Sequence, residues 1–150
     1  MKTLVIALLA TSLTACATKP PTSRQAASLS QYRYVVIDKT NMLRSLSAGG
    51  GRAVSKELDP GALMEGLLLK RGLVRVSEVE AARPGTLLLR WGVSGKRNLA
   101  LGLGYAQEVS IALVDARSLE AVFSCTGEGI GDTEVDDIRD AIAACLSSMN

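Results

Sequence analysis

The sequence predicts an α+β fold, a two-layer sandwich in which a mainly antiparallel sheet of about five strands carries two helices on one face. Two observations support this prediction. Strand and helix patterns follow one another in the order βαββββα. The last three strands also place apolar residues on one parity and polar residues on the other. Such alternation is typical of an antiparallel sheet that is covered on one side.

The first strand is followed by a long segment of ambiguous pattern. Residues 32–37 read YRYVVI, and this aromatic and β-branched run is typical of a strand. Within residues 38–58, Met42, Leu43 and Leu46 have helical spacing, but the glycines at 49–51 interrupt any regular element. We therefore expect a long surface loop that is either simply mobile or carries function.

A helix and a second strand follow with clear boundary signals. Asp59 is a good N-cap residue, and Pro60 suits the first helical position, where its missing N–H costs nothing. An apolar stripe then leads to a basic last turn and to Gly72, which predicts a helix over residues 60–71. The alternating residues 73–77 form the second strand directly after that glycine.

Three longer strands complete the predicted sheet, over residues 86–93, 107–114 and 119–126. Residues 98–105 are apolar and rich in glycine, which predicts a loop or a flexible hairpin end. We expect the apolar parity to face the helices. Its members are Leu87, Leu89, Trp91, Val93, Val109, Ile111, Leu113, Leu119, Ala121, Phe123 and Cys125.

A second helix after the last strand should cover the same face of the sheet. Thr133 and Asp136 resemble a capping box, and the acids at 134, 136 and 137 suit the positive end of a helix dipole. The apolar positions of this helix recur on one side and are Val135, Ile138, Ile142 and Cys145. That side is predicted to pack on the sheet.

The start of the chain combines an export signal with a lipidation motif. Lys2 provides a positive n-region, and residues 4–10 form an apolar run that is too short to span a bilayer. LTAC at residues 13–16 resembles the lipobox of bacterial lipoproteins, which implies cleavage before Cys16 and acylation of that residue. The alternatives are an ordinary signal peptide with a chance cysteine, or an N-terminal core helix.

This interpretation divides the chain into a signal peptide at 1–15, a lipidated flexible spacer at 16–31 and a single α+β domain at 32–150. The spacer contains two adjacent prolines and lacks apolar periodicity. Ala17 stands where enterobacterial lipoproteins of the inner membrane carry aspartate. The resemblance therefore implies a protein of the outer membrane that faces the periplasm.

The predicted domain resembles a loose group of small bacterial envelope lipoproteins. They are the lipoprotein activators of penicillin-binding proteins, the curli-secretion lipoprotein and several uncharacterised families. The resemblance rests on the lipobox, on ALMEGLLLKRGLVRV, on the hairpin SIALVDARSLEAVFSC and on the helix after it. It covers most of residues 32–148 and implies a shared architecture. No binding residue of these families can be matched to this chain, so none is transferred.

Two cysteines remain in the predicted domain once Cys16 is acylated. Cys125 and Cys145 both lie on the parity that faces the interface between the sheet and the last helix. A disulfide in this exported protein would close a loop of about twenty residues and stabilise the fold by about 3 kcal/mol on the chain-entropy model. The alternative is a pair of reduced, buried cysteines that act as small apolar residues.

The chain offers few groups for catalysis. It has no histidine, which excludes Ser-His-Asp and Cys-His catalysis and the commonest zinc ligand. Ser94 and Lys96 lie two residues apart on a strand end, a spacing that often arises by chance. We therefore expect no enzyme activity, no catalytic residue, no metal site and no cofactor.

A glycine-rich segment, GEGIGD at residues 127–132, lies between a strand and a helix, where a dinucleotide fingerprint would lie. Asp132 stands where GxGxxG requires glycine, and the surrounding acids would repel a phosphate. A flexible connection explains the glycines better. The acids at 132–137 lack the spacing of an EF-hand loop, and helix capping explains them without calcium.

Charge limits the class of partner. The chain has 17 Lys and Arg residues and 15 Asp and Glu residues. It therefore lacks the large excess of basic residues that is typical of a nucleic-acid-binding domain. We expect a membrane-anchored, non-enzymatic binding or assembly factor that contacts an envelope protein through its exposed sheet face or through residues 38–58. The candidate residues of that face are Arg90, Glu108, Ser124 and Thr126.

The alternative function is an envelope carrier of a lipid or cell-wall ligand, or a hydrolase that works without histidine. The apolar residues 99–104 would then form the site, because exposed apolar surface marks a ligand, membrane or partner. A deep pocket lined by this segment would favour the carrier, and a flat polar sheet face would favour the protein partner. The oligomeric state stays open.

Overall fold

The computed structural model describes residues 18–49, 52–99 and 104–150, which contain eight strands and two α-helices. The strands are β1 (Thr22–Gln25), β2 (Tyr34–Ile37), β3 (Leu43–Gly49), β4 (Arg52–Leu58), β5 (Val74–Val76), β6 (Thr86–Asn98), β7 (Tyr105–Asp115) and β8 (Ala121–Gly129). The helices are α1 (Pro60–Leu69) and α2 (Glu134–Ser147). Together they form the two-layer α+β fold that the sequence predicts.

Six of the strands form one mixed sheet in the order β1-β8-β7-β6-β2-β5. The pairs from β1 to β6 are antiparallel, whereas β2 is parallel to both β6 and β5. The parallel pair arises because the connection from β2 to β5 includes α1 and returns the chain to the same end of the sheet. The predicted class is confirmed, but the strand count and this parallel half differ from the prediction.

The segment predicted to be a flexible spacer contributes a strand at one edge of the sheet. Thr22–Gln25 pairs antiparallel with β8, and Thr22 lies opposite Thr126. All residues of β1 are exposed, so backbone hydrogen bonds rather than apolar burial hold the strand. The spacer prediction for 16–31 is therefore wrong over β1, because a polar strand added to a sheet edge leaves no hydrophobic pattern to detect.

Within residues 38–58, β3 and β4 pair as the two strands of an antiparallel hairpin, and the prediction of a long loop is wrong over these strands. The two strands pair along their length, with Leu43 opposite Leu58. The hairpin contacts α2 beside the main sheet. Met42 and Leu46, whose spacing suggested a helix, are 52% and 80% exposed. Their spacing is incidental, because a small two-stranded ribbon buries too few residues to impose a clear period.

The core lies between the inner face of the sheet and the two helices. α2 packs on β7 and β8, and α1 contacts β5 and α2. The inward parity of the three longest strands is buried along most of its length, as predicted. The largest fully buried side chains are Phe123, Met64, Leu68, Leu87, Leu89, Ile111, Leu113, Ile142, Leu146, Val35, Val109 and Val135.

The predicted burial is wrong at three positions. Val93 lies opposite the buried Val109 and keeps the inward side, but it is 47% exposed, because α2 packs on β7 and β8. Leu119 is 69% exposed and adopts a φ of +60° in the turn before β8. A register shift between β7 and β8 leaves Ala121 exposed and buries Val122 instead. Bulges of this kind reverse the facing of a residue without any change in the sequence pattern.

Both helices begin at the predicted capping residues. The Asp59 carboxylate accepts hydrogen bonds from two backbone amides of α1, and the Thr133 hydroxyl accepts one from the backbone N–H of Asp136. α1 ends at Leu69, slightly before the predicted end, and Gly72 follows with a φ of +81°. Neither helix of the described residues is long and apolar enough to cross a membrane.

Candidate interaction face

The sheet face opposite the helices, called the outer face below, carries the four residues predicted to contact a partner. Arg90 lies on β6, Glu108 on β7, and Ser124 and Thr126 on β8. The strand register places Arg90 and Ser124 on either side of Ala112 in one row across the sheet. The neighbouring row contains Gly92, Ser110 and Thr126. The structure therefore brings the four predicted residues onto one surface.

Arg90 and Glu108, the charged members of these four residues, form hydrogen bonds with neighbouring side chains. Arg90 Nη1 donates to Asp38 Oδ2 at 2.8 Å, and the Arg90 side chain remains 61% exposed. The Ser94 hydroxyl donates to Glu108 Oε1 at 2.9 Å. Arg90 is exposed and Glu108 is half-buried, so another molecule can reach both side chains.

Small residues occupy the middle of the outer face. Gly92, Ser110 and Ala112 lie on neighbouring strands between the charged positions. The hydroxyl oxygens of Ser110 and Thr126 are 3.1 Å apart and share a hydrogen bond. The centre of the face therefore carries only small side chains, with two hydroxyl groups among them.

A buried ion pair at one end of the outer face has no counterpart in the sequence predictions. Glu128 on β8 is 8% exposed, and Arg97 on β6 donates to its two carboxylate oxygens at 3.0 and 2.6 Å. The Lys19 backbone N–H donates to the same carboxylate at 3.2 Å. Hydrogen bonding, above all from Arg97, holds the pKa of Glu128 below its usual range. The partners lie 31 and 109 residues away in sequence, so no local motif indicates the pair.

Gly127 and Gly129 belong to β8, and the prediction of a flexible connection is wrong for them. Both face α2, and a Cβ atom on Gly127 would come within 2.9 Å of the Ala141 carbonyl oxygen. Gly131, just after the strand, donates its backbone N–H to the Asp137 carboxylate. The glycines therefore allow α2 to approach the sheet closely, and the Asp137 side chain uses an amide that a phosphate would need.

Asp137 and Glu128 are the buried acids of the described residues, and their pKa values shift in opposite directions. Asp137 is 3% exposed, and burial is the main cause that raises its pKa. The nearby carboxylates of Asp136, Asp140 and Glu134 add to this rise. For Glu128, the hydrogen bonds from Arg97 outweigh burial and lower the pKa. For Asp137, the backbone hydrogen bond from Gly131 is the one cause among the described residues that lowers the pKa, and burial outweighs it.

Cys125 on β8 and Cys145 on α2 are joined in a disulfide, with their Cα atoms 5.6 Å apart. The two residues are 4% and 0% exposed, so the bond lies inside the core. It crosslinks the sheet to the helix that covers it. Of the two alternatives for this pair, the structure contains the disulfide, and its role is structural.

The other candidates for chemistry have separate partners. Ser94 donates to Glu108, whereas the Lys96 ammonium lies 3.3 Å from the ring centroid of Tyr105. Within residues 18–49, 52–99 and 104–150, no three His, Cys, Asp or Glu side chains come close enough to hold a metal ion. Cys16 lies outside the described residues, and its acylation stays a prediction.

Leu99 and Gly104, the described ends of the apolar segment, line a shallow depression of about 270 Å³ together with Tyr105 and Asp137. Residues 100–103 lie outside the described part of the chain. Two larger depressions, of about 470 and 520 Å³, are also open to solvent and have mixed polar and apolar linings. The described residues thus combine shallow depressions with a polar sheet face.

No protein-family model matches this sequence, and no curated protein matches it either. Solved structures with a similar fold include two of PelC from Paraburkholderia phytofirmans, one of them a point variant, and both are dodecamers. They are 16% identical to this chain and cover 87% of it, and the match spans 95% and 96% of the PelC chains with TM-scores of 0.51 and 0.52. This similarity shows a shared fold.

Proposed function

We propose that this protein is a lipid-anchored envelope lipoprotein that acts as a non-enzymatic assembly factor. Its domain associates with further copies of itself and contacts another envelope protein. The observation that carries the proposal is the fold, because PelC chains of similar fold form dodecamers. Fold similarity transfers no individual contact, so the contact surface is argued from the residues of this chain.

The anchor in this proposal is Cys16. LTAC at residues 13–16 has the lipobox pattern, and the preceding charge and apolar run suit export. An N-terminus that carries more than one acyl chain binds a membrane stably, whereas a single chain binds only marginally. Ala17 in place of aspartate supports an outer-membrane location with the domain in the periplasm.

The outer face is the contact surface in this proposal. α1 and α2 cover the inner face of the sheet, which leaves the outer face for a partner. Arg90 and Glu108 provide charges of opposite sign, and Gly92 and Ala112 between them let a partner approach the backbone. A flat surface of this kind suits a protein, whereas small ligands bind in concave, mostly apolar sites.

Site-specific photo-crosslinking in cells tests the contact surface. A photo-crosslinking residue at Ser124 on the outer face should capture a second copy or one reproducible envelope protein. The same residue at Glu65 on α1, in the helix layer, is the matched control and should capture neither. Equal capture from the two positions would contradict the role of the outer face.

The anchor and the self-association are tested on the acylated protein. Native mass spectrometry should detect an oligomer, and a monomer at every concentration would contradict self-association. Cys16→Ala cannot be acylated and should lose the envelope protein captured from Ser124. Recovery of lipid or cell-wall fragments in place of a protein would support the carrier function instead.

A further inference from the structure

The N-terminal segment is bound to one particular end of the sheet. β1 starts at Thr22, opposite Thr126 on β8, and Lys19 just before it contacts Glu128 further along β8. The Lys19 ammonium also lies 3.8 Å from a Glu128 carboxylate oxygen, and Arg97 holds the other side of this carboxylate. We call this group of Lys19, Arg97 and Glu128 the Glu128 clamp. It attaches the chain to the domain from Lys19 onward.

The distance from the Glu128 clamp to the lipid anchor is short. Lys19 is three residue steps from Cys16, and three fully extended steps span at most about 11 Å. A flexible spacer over residues 16–31 would have let the domain move much farther from the anchor and rotate freely relative to the membrane. Resting on the proposed acylation of Cys16, we infer that the Glu128 clamp holds this end of the sheet against the lipid bilayer and fixes the orientation of the domain.

The residues at this end suit a membrane interface. The last pair of β6 and β7, Asn98 opposite Tyr105, lies here, together with Gly129 at the end of β8. The Lys96 ammonium lies over the Tyr105 ring. Tyrosine rings are enriched at the headgroup level of membranes, and lysine side chains extend their charge toward water from such positions.

The charges at this end nearly cancel, so attraction to anionic lipid does not orient the domain. The orientation depends instead on the short tether, which is the segment from Cys16 to Lys19. Asp132 and Glu134 follow β8 directly and are exposed. They oppose the positive charge of Lys19 and Lys96, so the end has no excess of one sign. Vesicles of neutral phosphatidylcholine are therefore a sufficient membrane for the test.

Fluorescence quenching on the full acylated protein in such vesicles tests the orientation. A fluorophore is attached to Asn98→Cys at the membrane-facing end or, as the control, to Arg117→Cys in the turn after β7. The two positions are separated by the length of β7, about 33 Å at about 3.3 Å per residue. The added cysteine is the free thiol, because Cys125 and Cys145 are paired and Cys16 is acylated. A spin label on the lipid headgroup should quench position 98 several-fold more than position 117.

Lengthening the tether provides the second variant. An insertion of about ten Gly and Ser residues between Ala17 and Thr18 adds a root-mean-square reach of about 17 Å and leaves the domain unchanged. It should bring the quenching ratio of the two positions close to one, while the protein still floats with the vesicles.

The outcomes separate this inference from the proposed function. If the unmodified protein floats with the vesicles but both positions are quenched equally, the orientation is wrong and the lipoprotein proposal stands. A several-fold ratio that survives the insertion would also overturn the role of the short tether. If the protein fails to float, the acylation of Cys16 is wrong, and the orientation that rests on it is wrong as well.

Discussion

Gly129 on β8 lies directly beneath the backbone of Asp137 on α2, so closely that a Cβ atom on Gly129 would overlap the Asp137 carbonyl oxygen. The helix therefore crosses the strand at a distance that only glycine permits. Gly127 has a similar though looser position under Ala141. The glycine pattern at the end of β8 is thus a requirement of layer packing.

Gly129→Ala should destabilise the protein by about 3 kcal/mol or more, because the overlapping atoms belong to backbone and cannot rotate away. The free energy of unfolding in urea measures this loss. Gly66→Ala is the matched control, since a Cβ at Gly66 on α1 meets nothing within 4 Å. It should stabilise the helix by about 0.5–1 kcal/mol. Similar effects of the two substitutions would contradict the packing role of Gly129.

Reduction of the disulfide between Cys125 and Cys145 should lower the free energy of unfolding by about 3 kcal/mol. The bond closes a loop with a sequence separation of 20 and connects β8 to α2. Urea unfolding with and without reductant gives the difference. The double variant Cys125→Ala and Cys145→Ala should show low stability that reductant no longer changes. An unchanged unfolding midpoint after complete reduction would rule out a stabilising role for the bond.

Asp137→Asn should stabilise the protein at neutral pH. Burial raises the pKa of Asp137 above the ordinary 3.8, so the free energy of unfolding falls as pH rises through the folded pKa. Asparagine removes the charge and keeps an oxygen that accepts the Gly131 hydrogen bond.

The gain from Asp137→Asn should disappear as pH is lowered past the ordinary pKa, where the wild-type carboxyl group is protonated in both states. Urea unfolding at a series of pH values measures it. Glu78→Gln removes an exposed charge that is not among those raising the pKa of Asp137, and it serves as the control. A stabilisation that is equally large in acid, or a loss of stability at neutral pH, would show that the buried charge is not the cause.

Glu128→Gln should destabilise the protein by about 2 kcal/mol at neutral pH, because it removes the charge-assisted hydrogen bonds from Arg97. The pKa of Glu128 is lowered from the ordinary 4.5. The ionised Glu128 carboxylate therefore contributes its full stabilisation above the ordinary pKa. This stabilisation is lost as pH falls through the lower pKa of the folded state.

The measurement for Glu128→Gln is the difference in unfolding free energy from the wild type between neutral and acidic pH, and the difference should shrink in acid. Glu57→Gln on β4 is the control. Glu57 forms an exposed ion pair with Arg44 at 2.9 Å, so its substitution should cost less than about 1 kcal/mol. Equal losses for the two variants would contradict the special role of the ion pair.

Features that depend on local sequence were predicted correctly. Asp59 and Thr133 cap the two helices, because a capping side chain and its backbone partners lie within a few residues of each other. The burial of Leu89, Ile111 and Phe123 on one face follows from simple alternation along each strand. Alternation was insufficient at Ala121, where a register shift between β7 and β8 leaves Ala121 exposed and buries Val122.

Arg90, Glu108, Ser124 and Thr126 were placed together for the same reason, since each lies on the polar parity of its own strand. The Glu128 clamp was not predicted. Arg97 and Lys19 come close to Glu128 only when β1, β8, β7 and β6 pair in this order in the sheet. The sequence around each residue does not indicate that Glu128 is its partner.

The sequence by itself determined the fold class, the helix caps and the polar face of the sheet, because these depend on residue type and on periods of a few residues. Only the tertiary structure decided that β1 and β5 form the edges, that β2 runs parallel to its neighbours, and that β3 pairs with β4. Strand order and long-range ion pairs depend on backbone hydrogen bonds and on contacts between distant segments. Backbone hydrogen bonds are available to almost any residue type, and a charged residue does not indicate which distant residue it will pair with, so neither interaction leaves a pattern in the chain itself.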